Sequence, residues 1–193
     1  MSKQREVLEN KKGVHITSRG PYIVTYSGGK FYPMDVREED IDIEDIAHAL
    51  SDQCRFGGHV NTFYSVGHHC CHVSDLLAQH SAEEAFRGLL HDASEAYLVD
   101  VPRPIKQIVD FSTYRQIERA TQVAIYTKFD ITPVEDPLWL FNADNALLAT
   151  EARDLMDNPG WCHKMPKLKM KIEAWKPAKA EKEYLKRFEK LYA

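Results

Sequence analysis

Apolar residues along this chain fall first into short β-type runs and then into long helical ones. Tyr22-Ile23-Val24-Thr25-Tyr26 and Lys30-Phe31-Tyr32 flank Ser27-Gly28-Gly29, two β-rich runs around a glycine turn that predict a hairpin. Pro33 ends the second run, and the polar stretch 1–20 before the hairpin reads as irregular. Downstream, Ile41, Ile43, Ile46, Ala47 and Leu50 recur at helical spacing and predict a helix over about 40–54. After a Phe56-Gly57-Gly58-His59 loop, helices are expected over about 66–80, 83–98, 113–129, 137–156 and 178–192. Pro102 and Pro104, Pro133 and Pro137, and Pro159 and Pro166 punctuate these segments. The expectation is a mainly α chain with one small N-terminal hairpin. No strand–helix alternation supports a parallel α/β sheet.

Phasing at roughly 100° per residue separates the histidines of the 66–80 helix. Val66, Cys70, Val73, Leu76 and Leu77 form one apolar arc, and His69 falls inside it. His68 lies on the other side with Asp75 and Gln79, and His72 sits at the boundary. An inward histidine by itself is equally a core residue bonded to a backbone carbonyl. On the next helix Phe86, Leu89, Leu90, Ala93 and Tyr97 are on the apolar side, while His91, Asp92 and Glu95 share the other. That polar wedge is either a solvated face or a site wall. The rigid Asp100-Val101-Pro102-Arg103-Pro104 turn beside it favours a wall. Asp144 shares a stripe with Leu148 and Leu155, where an unpaired carboxylate is costly. A metal, or a cation such as Arg153, would relieve that cost; a helix N-cap is the other use for such an aspartate. His69, His91, Asp92 and Asp144 together offer two nitrogens and up to four oxygens. One divalent ion (Co, Mn, Zn, Ni, Fe or Mg) suits that set, with positions left for water and substrate.

Composition narrows the picture slightly. The 193 residues are 44% hydrophobic and 28% charged with net charge −4, ordinary for a globular chain and no reason to expect nucleic acid as a partner. No apolar run reaches the length of a membrane span, and the polar start lacks a secretory h-region. Four cysteines without a C-x-x-C spacing suit free thiols and a cytoplasmic setting, the host cytoplasm for a viral chain.

The order His69, then His91-Asp92, then Asp144, all on predicted helices, resembles the HD-domain metal phosphohydrolases. Ser65-Val66-Gly67-His68-His69, His91-Asp92-Ala93-Ser94-Glu95 and Asp100-Val101-Pro102-Arg103-Pro104-Ile105-Lys106 are similar to the HD-domain 5'-deoxynucleotidases and the phage dATP triphosphohydrolases. The similarity covers about 40–155. It implies an HD-type helical bundle over 37–160, preceded by a 1–36 extension and followed by a 161–193 helical tail packed on the core. It also implies hydrolysis of phosphate from (2'-deoxy)nucleoside 5'-phosphates, with adenine nucleotides favoured, and a homo-oligomer.

Carried over by position, His69, His91, Asp92 and Asp144 match the metal ligands, and Glu95 matches the carboxylate that handles the attacking water or the leaving group's proton. Asp100 matches the reader of the sugar 3'-hydroxyl. Arg55-Phe56 matches an Arg–aromatic pair that holds phosphate and crowds the sugar 2' position. Here the aromatic is Phe rather than Trp, one residue closer to His69, so the resemblance speaks for phosphate binding more than for exclusion of ribose. Lys106 and Arg103 are further phosphate candidates or plain surface charge. Phe56 or Tyr97 offers a ring for sugar or base, or simple core. His59 and His68 are candidates for the rim of the site.

Three other classes stand beside this reading. Two-metal phosphodiesterases and di-iron oxygenases of the same type need histidines between the His-Asp pair and the last Asp, and none lies between Asp92 and Asp144. A structural zinc module of His68, His69, Cys70, Cys71 and His72 conflicts with helix geometry, because neighbours on one helix point apart. A non-catalytic nucleotide-binding or scaffold protein would have little use for Glu95. The 164–190 tail alternates lysines with an amphipathic stripe of Tyr184, Leu185, Phe188 and Leu191, as expected of a docked helix or a subunit contact.

Overall fold

Helices account for most of the chain in the computed structural model, which describes residues 8–9 and 15–193. The predicted hairpin is present but short: β4 (Ile23–Val24) pairs antiparallel with β5 (Lys30–Phe31), Ile23 opposite Phe31. Its turn closes through Thr25 N to Gly29 O, and Gly28 at φ +85° adopts a conformation that needs glycine. Asp45 accepts from Ser27 N (2.6 Å) and Ser27 Oγ (3.0 Å), which fixes the hairpin to the first helix.

The 1–20 segment, expected to be irregular or loosely packed, contains short regular strands where it is described. β1 (Leu8–Glu9), β2 (His15–Thr17) and β3 (Gly20–Pro21) form a three-stranded antiparallel sheet. Residues 1–7 and 10–14 lie outside the described residues.

The helices are α1 (Ile43–Asp52), α2 (Val66–Leu77), α3 (Ala82–Leu90), α4 (Glu95–Leu98), α5 (Arg103–Lys106), α6 (Ser112–Lys128), α7 (Leu138–Leu155) and α8 (Pro177–Tyr192). Their starts follow local chemistry. Asp42, Ser65 and Ser81 cap α1, α2 and α3 by accepting from the amides of Glu44, His68 and Glu84. Pro177 opens α8, where its missing N–H costs nothing. The predicted 40–54 and 66–80 helices are thus shorter by five and three residues.

The largest departure is the predicted 83–98 helix, which is broken at residues 91–94. Gln122 of α6 is the cause. Its Nε2 donates to Leu90 O (2.7 Å) and its Oε1 accepts from Ser94 N (3.1 Å). Those are the two groups that a continuous helix would join to each other. The side-chain amide replaces that bond and turns the chain where His91 and Asp92 lie.

Two glycines set the approach of the helices. A Cβ on Gly67 would stand 2.7 Å from Ser51 Oγ and 3.2 Å from Ser51 N, so α2 lies hard against α1. A Cβ on Gly88 would meet Leu77 Cδ1 at 2.7 Å, so α3 lies equally close to α2. That second contact brings His91 alongside His69. The predicted stripe of α8 faces the core: Tyr184 and Phe188 are buried, with Leu185 and Leu191 packed beside them. Tyr184 also donates to Leu89 O at 3.0 Å. Burying a side chain of this kind is worth about 1.5–3 kcal/mol.

Candidate metal centre and cleft

His69 of α2, His91 after α3, Asp92 in the turn and Asp144 of α7 converge. His69 Nε2 lies 3.3 Å from His91 Nε2, 3.2 Å from Asp144 Oδ1 and 3.7 Å from Asp92 Oδ2. His91 Nε2 lies 3.3 Å from Asp92 Oδ2. His69, His91 and Asp92 form a group that could hold a metal ion.

The tautomers make the fit specific. His69 Nδ1 is 2.7 Å from Glu151 Oε1, and His91 Nδ1 is 2.7 Å from Gly88 O. Both acceptors lack a proton to give, so each Nδ1 is the donor, and each ring, when neutral, turns an Nε2 lone pair toward the other. Two ring nitrogens at 3.3 Å, with two carboxylates beside them, suit a shared cation, whether a metal ion or a proton. Ligands about 2.0–2.2 Å from one ion are separated by about 3.0–3.5 Å, close to the spacings found. Without an ion the same field acts on protons. Burial lowers the His91 pKa, but Asp92 outweighs it and raises the ring well above its ordinary value. Burial likewise opposes Asp92, whose carboxyl His91, His69 and Arg55 hold far below the usual range.

Glu151 is the residue missed at the sequence level. It is fully buried on α7 and accepts from Arg55 Nε (3.1 Å), Tyr64 OH (2.9 Å) and His69 Nδ1 (2.7 Å). Burial alone would raise its carboxyl; Arg55 and His69 hold it down at about 2. Its signal was present, because Asp144, Leu148 and Glu151 follow i, i+4, i+7 spacing and share a face.

Asp144 is inside α7, which removes the N-cap alternative. The cation near it is Arg103, whose Nη2 is 3.5 Å from Asp144 Oδ2, and not Arg153, which is engaged by Asp154 and by the carbonyls of Leu168 and Met170. His68 is also corrected. It is fully buried, stacked on Trp175 at 3.8 Å between ring centroids, and takes no part in the rim. Tyr97 is core: its ring stacks on Phe31 and its hydroxyl accepts from Asp42 N. Burial pushes the Cys70 thiol up to about 11, and Cys70 and Cys71 stand outside the metal group, against the zinc-module reading.

A cleft of about 790 Å³ opens onto the centre. Arg55, Phe56, His59, Glu95, Asp100, Arg103 and Lys106 line it with Asp92 and Asp144, and Leu148, Met156, Trp161 and Met165 add an apolar wall that the sequence had not suggested. Two non-glycine residues with positive φ belong to its framework, Phe56 at 57° and Val99 at 63°. Val99 is held by Tyr114 OH bonded to its carbonyl, and the next amide, of Asp100, donates to Gln53 Oε1. Such strain persists only where the surroundings enforce it.

Glu95 is 6% exposed. Its Oε1 accepts from Lys106 Nζ (3.2 Å), while Oε2 has no hydrogen-bond partner. Burial, with Asp92 and Asp100 close by, raises its carboxyl well above the ordinary glutamate value. Lys106 also contacts Glu118, so it stands in the wall as a paired cation. Arg55 is nearly as enclosed, held by Glu151 and by Asp92 at 3.5 Å.

The uncharacterized protein YfdR of Escherichia coli strain K12 is 42% identical over 134 residues, 69% of this chain and 72% of that protein. The uncharacterized protein RCAP_rcc00048 of Rhodobacter capsulatus is 32% identical over 114 residues, 56% of this chain and 58% of that protein. No family model matches the chain. Among the described residues, no helix is long and apolar enough to cross a membrane.

Proposed function

The chain belongs to the same family as YfdR, and from the site it carries we propose a metal-dependent phosphohydrolase that acts on (2'-deoxy)nucleoside 5'-phosphates. The observation that carries the reading is the pair of facing Nε2 atoms at 3.3 Å, each ring fixed by a bond at Nδ1, beside a buried carboxylate with a free oxygen. The resemblance of the surrounding motifs to the HD-domain 5'-deoxynucleotidases and phage dATP triphosphohydrolases supplies the substrate class.

His69, His91, Asp92 and Asp144 would hold one divalent ion. Such an ion polarises a phosphoryl oxygen and lowers the pKa of adjacent water. The remaining work falls to side chains of the cleft. Glu95, whose Oε2 has no hydrogen-bond partner, is suited when ionised to take the proton of the attacking water and return it to the leaving oxygen as the P–O bond breaks. Arg55 is pre-oriented by Glu151 and offers a fixed guanidinium to phosphate. Arg103 is half exposed at the mouth and free to shift from Asp144 toward an incoming anion. Phe56 and Trp161 supply rings for sugar or base, and Asp100, set by the strained Val99, addresses the sugar hydroxyl.

The test is a panel of ribo- and deoxynucleoside mono-, di- and triphosphates with each of several divalent metals, resolved by product chromatography. Phosphate release from a 2'-deoxynucleotide that disappears in Asp92→Ala is expected. No release by the wild type from any nucleotide with any metal would favour a binding or scaffold role.

A further inference from the structure

A second cavity of about 400 Å³, between α6 and the 133–136 segment, also reaches the centre. It shares Asp92, Glu95 and Lys106 with the larger cleft, so the Glu95–Lys106 pair is a partition between two openings. The openings differ in charge. The smaller is lined by five carboxylates against two cations. In the larger, four carboxylates meet three cations, so with the centre empty the smaller opening has the greater acidic excess, and an ion of charge +2 shared by both would leave the smaller negative and make the larger net positive.

Nothing in the proposed chemistry uses the smaller opening, and its charge repels a nucleotide. We propose that it is the route by which the divalent cation reaches the centre, while the nucleotide uses the larger cleft. The inference rests on the metal-dependent reading above. Two observations point to a cation beyond the acidic lining itself. His91 and Asp92 of the metal group form the inner end of this cavity. Glu95, almost fully buried, also lines it and leaves Oε2 without a partner, a carboxylate oxygen that a passing cation would satisfy. Farther out, Glu118 is tied to Lys106, Asp136 is bonded by Tyr126 OH at 3.2 Å, and Glu135, at the exposed outer edge, faces Arg119 at 3.8 Å. A cavity with an excess of one sign of charge concentrates the opposite ion, and a cleft of one sign can raise its arrival rate by about 10- to 1,000-fold. Two openings of different charge let the ion exchange without crossing the substrate's path.

The experiment follows loading of Co²⁺ or Mn²⁺ into chelator-stripped full-length protein by stopped flow, with release measured by a chromogenic chelator. Glu135→Lys, on a side chain 88% exposed, should slow association several-fold at low ionic strength and lose that effect at high salt. Val123→Trp, which fills the cavity from a half-exposed position, should slow association and release by the same factor and leave the dissociation constant unchanged. Gln107→Lys, an added charge at the other mouth, should leave loading near the wild-type rate. Wild-type loading in both cavity variants overturns the route while leaving the metal reading intact, as does slowing only in the Gln107 variant. A protein that binds no divalent ion overturns the metal reading and the route together.

Discussion

Replacing Glu151 by Gln should damage both stability and metal affinity, although Glu151 would not touch the ion. The carboxylate is fully buried and receives three donors, Arg55 Nε on one oxygen and Tyr64 OH and His69 Nδ1 on the other. Glutamine keeps the volume and one acceptor oxygen, but its NH₂ must face a donor. If the oxygen stays with Tyr64 and His69, the NH₂ meets the Arg55 guanidinium; if reversed, it meets His69. Arg55 then remains buried with only Asp92, at 3.5 Å, to balance it. Removing one partner of a buried ion pair costs about 3–5 kcal/mol. Since 1 kcal/mol shifts the melting temperature of a domain this size by about 2–4 °C, a drop on the order of 10 °C is expected for the metal-free protein. His69 loses the bond that fixes its tautomer in the second orientation and keeps only an uncharged acceptor in the first, which should weaken metal binding by up to about 10- to 100-fold. Urea unfolding of the metal-free protein and calorimetric titration with Mn²⁺ measure the two effects separately. A Gln variant with unchanged unfolding midpoint and unchanged affinity would refute the argument that this carboxylate balances Arg55 and orients His69. Tyr64→Phe is a graded companion, removing one donor without stranding a charge, and should cost about 1 kcal/mol.

Gln122→Leu strands or releases both Leu90 O and Ser94 N; whether the gap stays open or the helix closes, Asp92 is re-aimed, so metal affinity should fall at least ten-fold in a protein whose far-UV circular dichroism shows it folded. Equal affinity would mean that the turn is set elsewhere. Val99→Gly removes a β-branched residue from φ 63°, relieving about 1–3 kcal/mol of strain less up to about 1 for glycine's added freedom. The melting temperature should rise while kcat/KM on the best nucleotide falls, because Asp100 is less firmly placed; a lower melting temperature would show no strain at Val99. Asp154, bonded to Arg153 and to Ile172 N, has its carboxyl lowered below the ordinary 3.8, chiefly by the Arg153 hydrogen bond. A lowered carboxylate stabilises the fold above that ordinary value and ceases to do so as the pH falls through its folded pKa. Asp154→Asn should therefore flatten the acid limb of a stability-versus-pH curve, and an unaltered limb would place the acid sensitivity in other groups.

Helical phasing identified His69 as inward because Val66, Cys70 and Val73 share its face of α2, and that information is local. The same phasing misassigned His68, whose outward side is covered by Trp175 from more than 100 residues away. A helical projection reports which residues share a face. It does not report how many faces a helix has covered, and α2 is packed by α1, α3, α7 and α8 together. The broken helix at His91 has the same origin. Leu89 through Leu98 carries the apolar rhythm of a continuous helix, and no Gly or Pro marks a stop within it. The interruption is imposed by one amide on α6, 28 residues from Ser94. Glu151 differs, since its two-turn spacing from Asp144 was readable; a glutamate late in a long helix is usually solvated, and only its three convergent donors show otherwise. In this chain the residues of the metal group lie on local patterns, whereas those that aim them, Gln122 and Glu151, act through contacts 28 to 96 residues apart. Substitutions at the aiming residues are therefore the sharper test of the site: losing a ligand would abolish metal binding in any arrangement, whereas a loss at Gln122 or Glu151 is expected only if this arrangement is the one that forms.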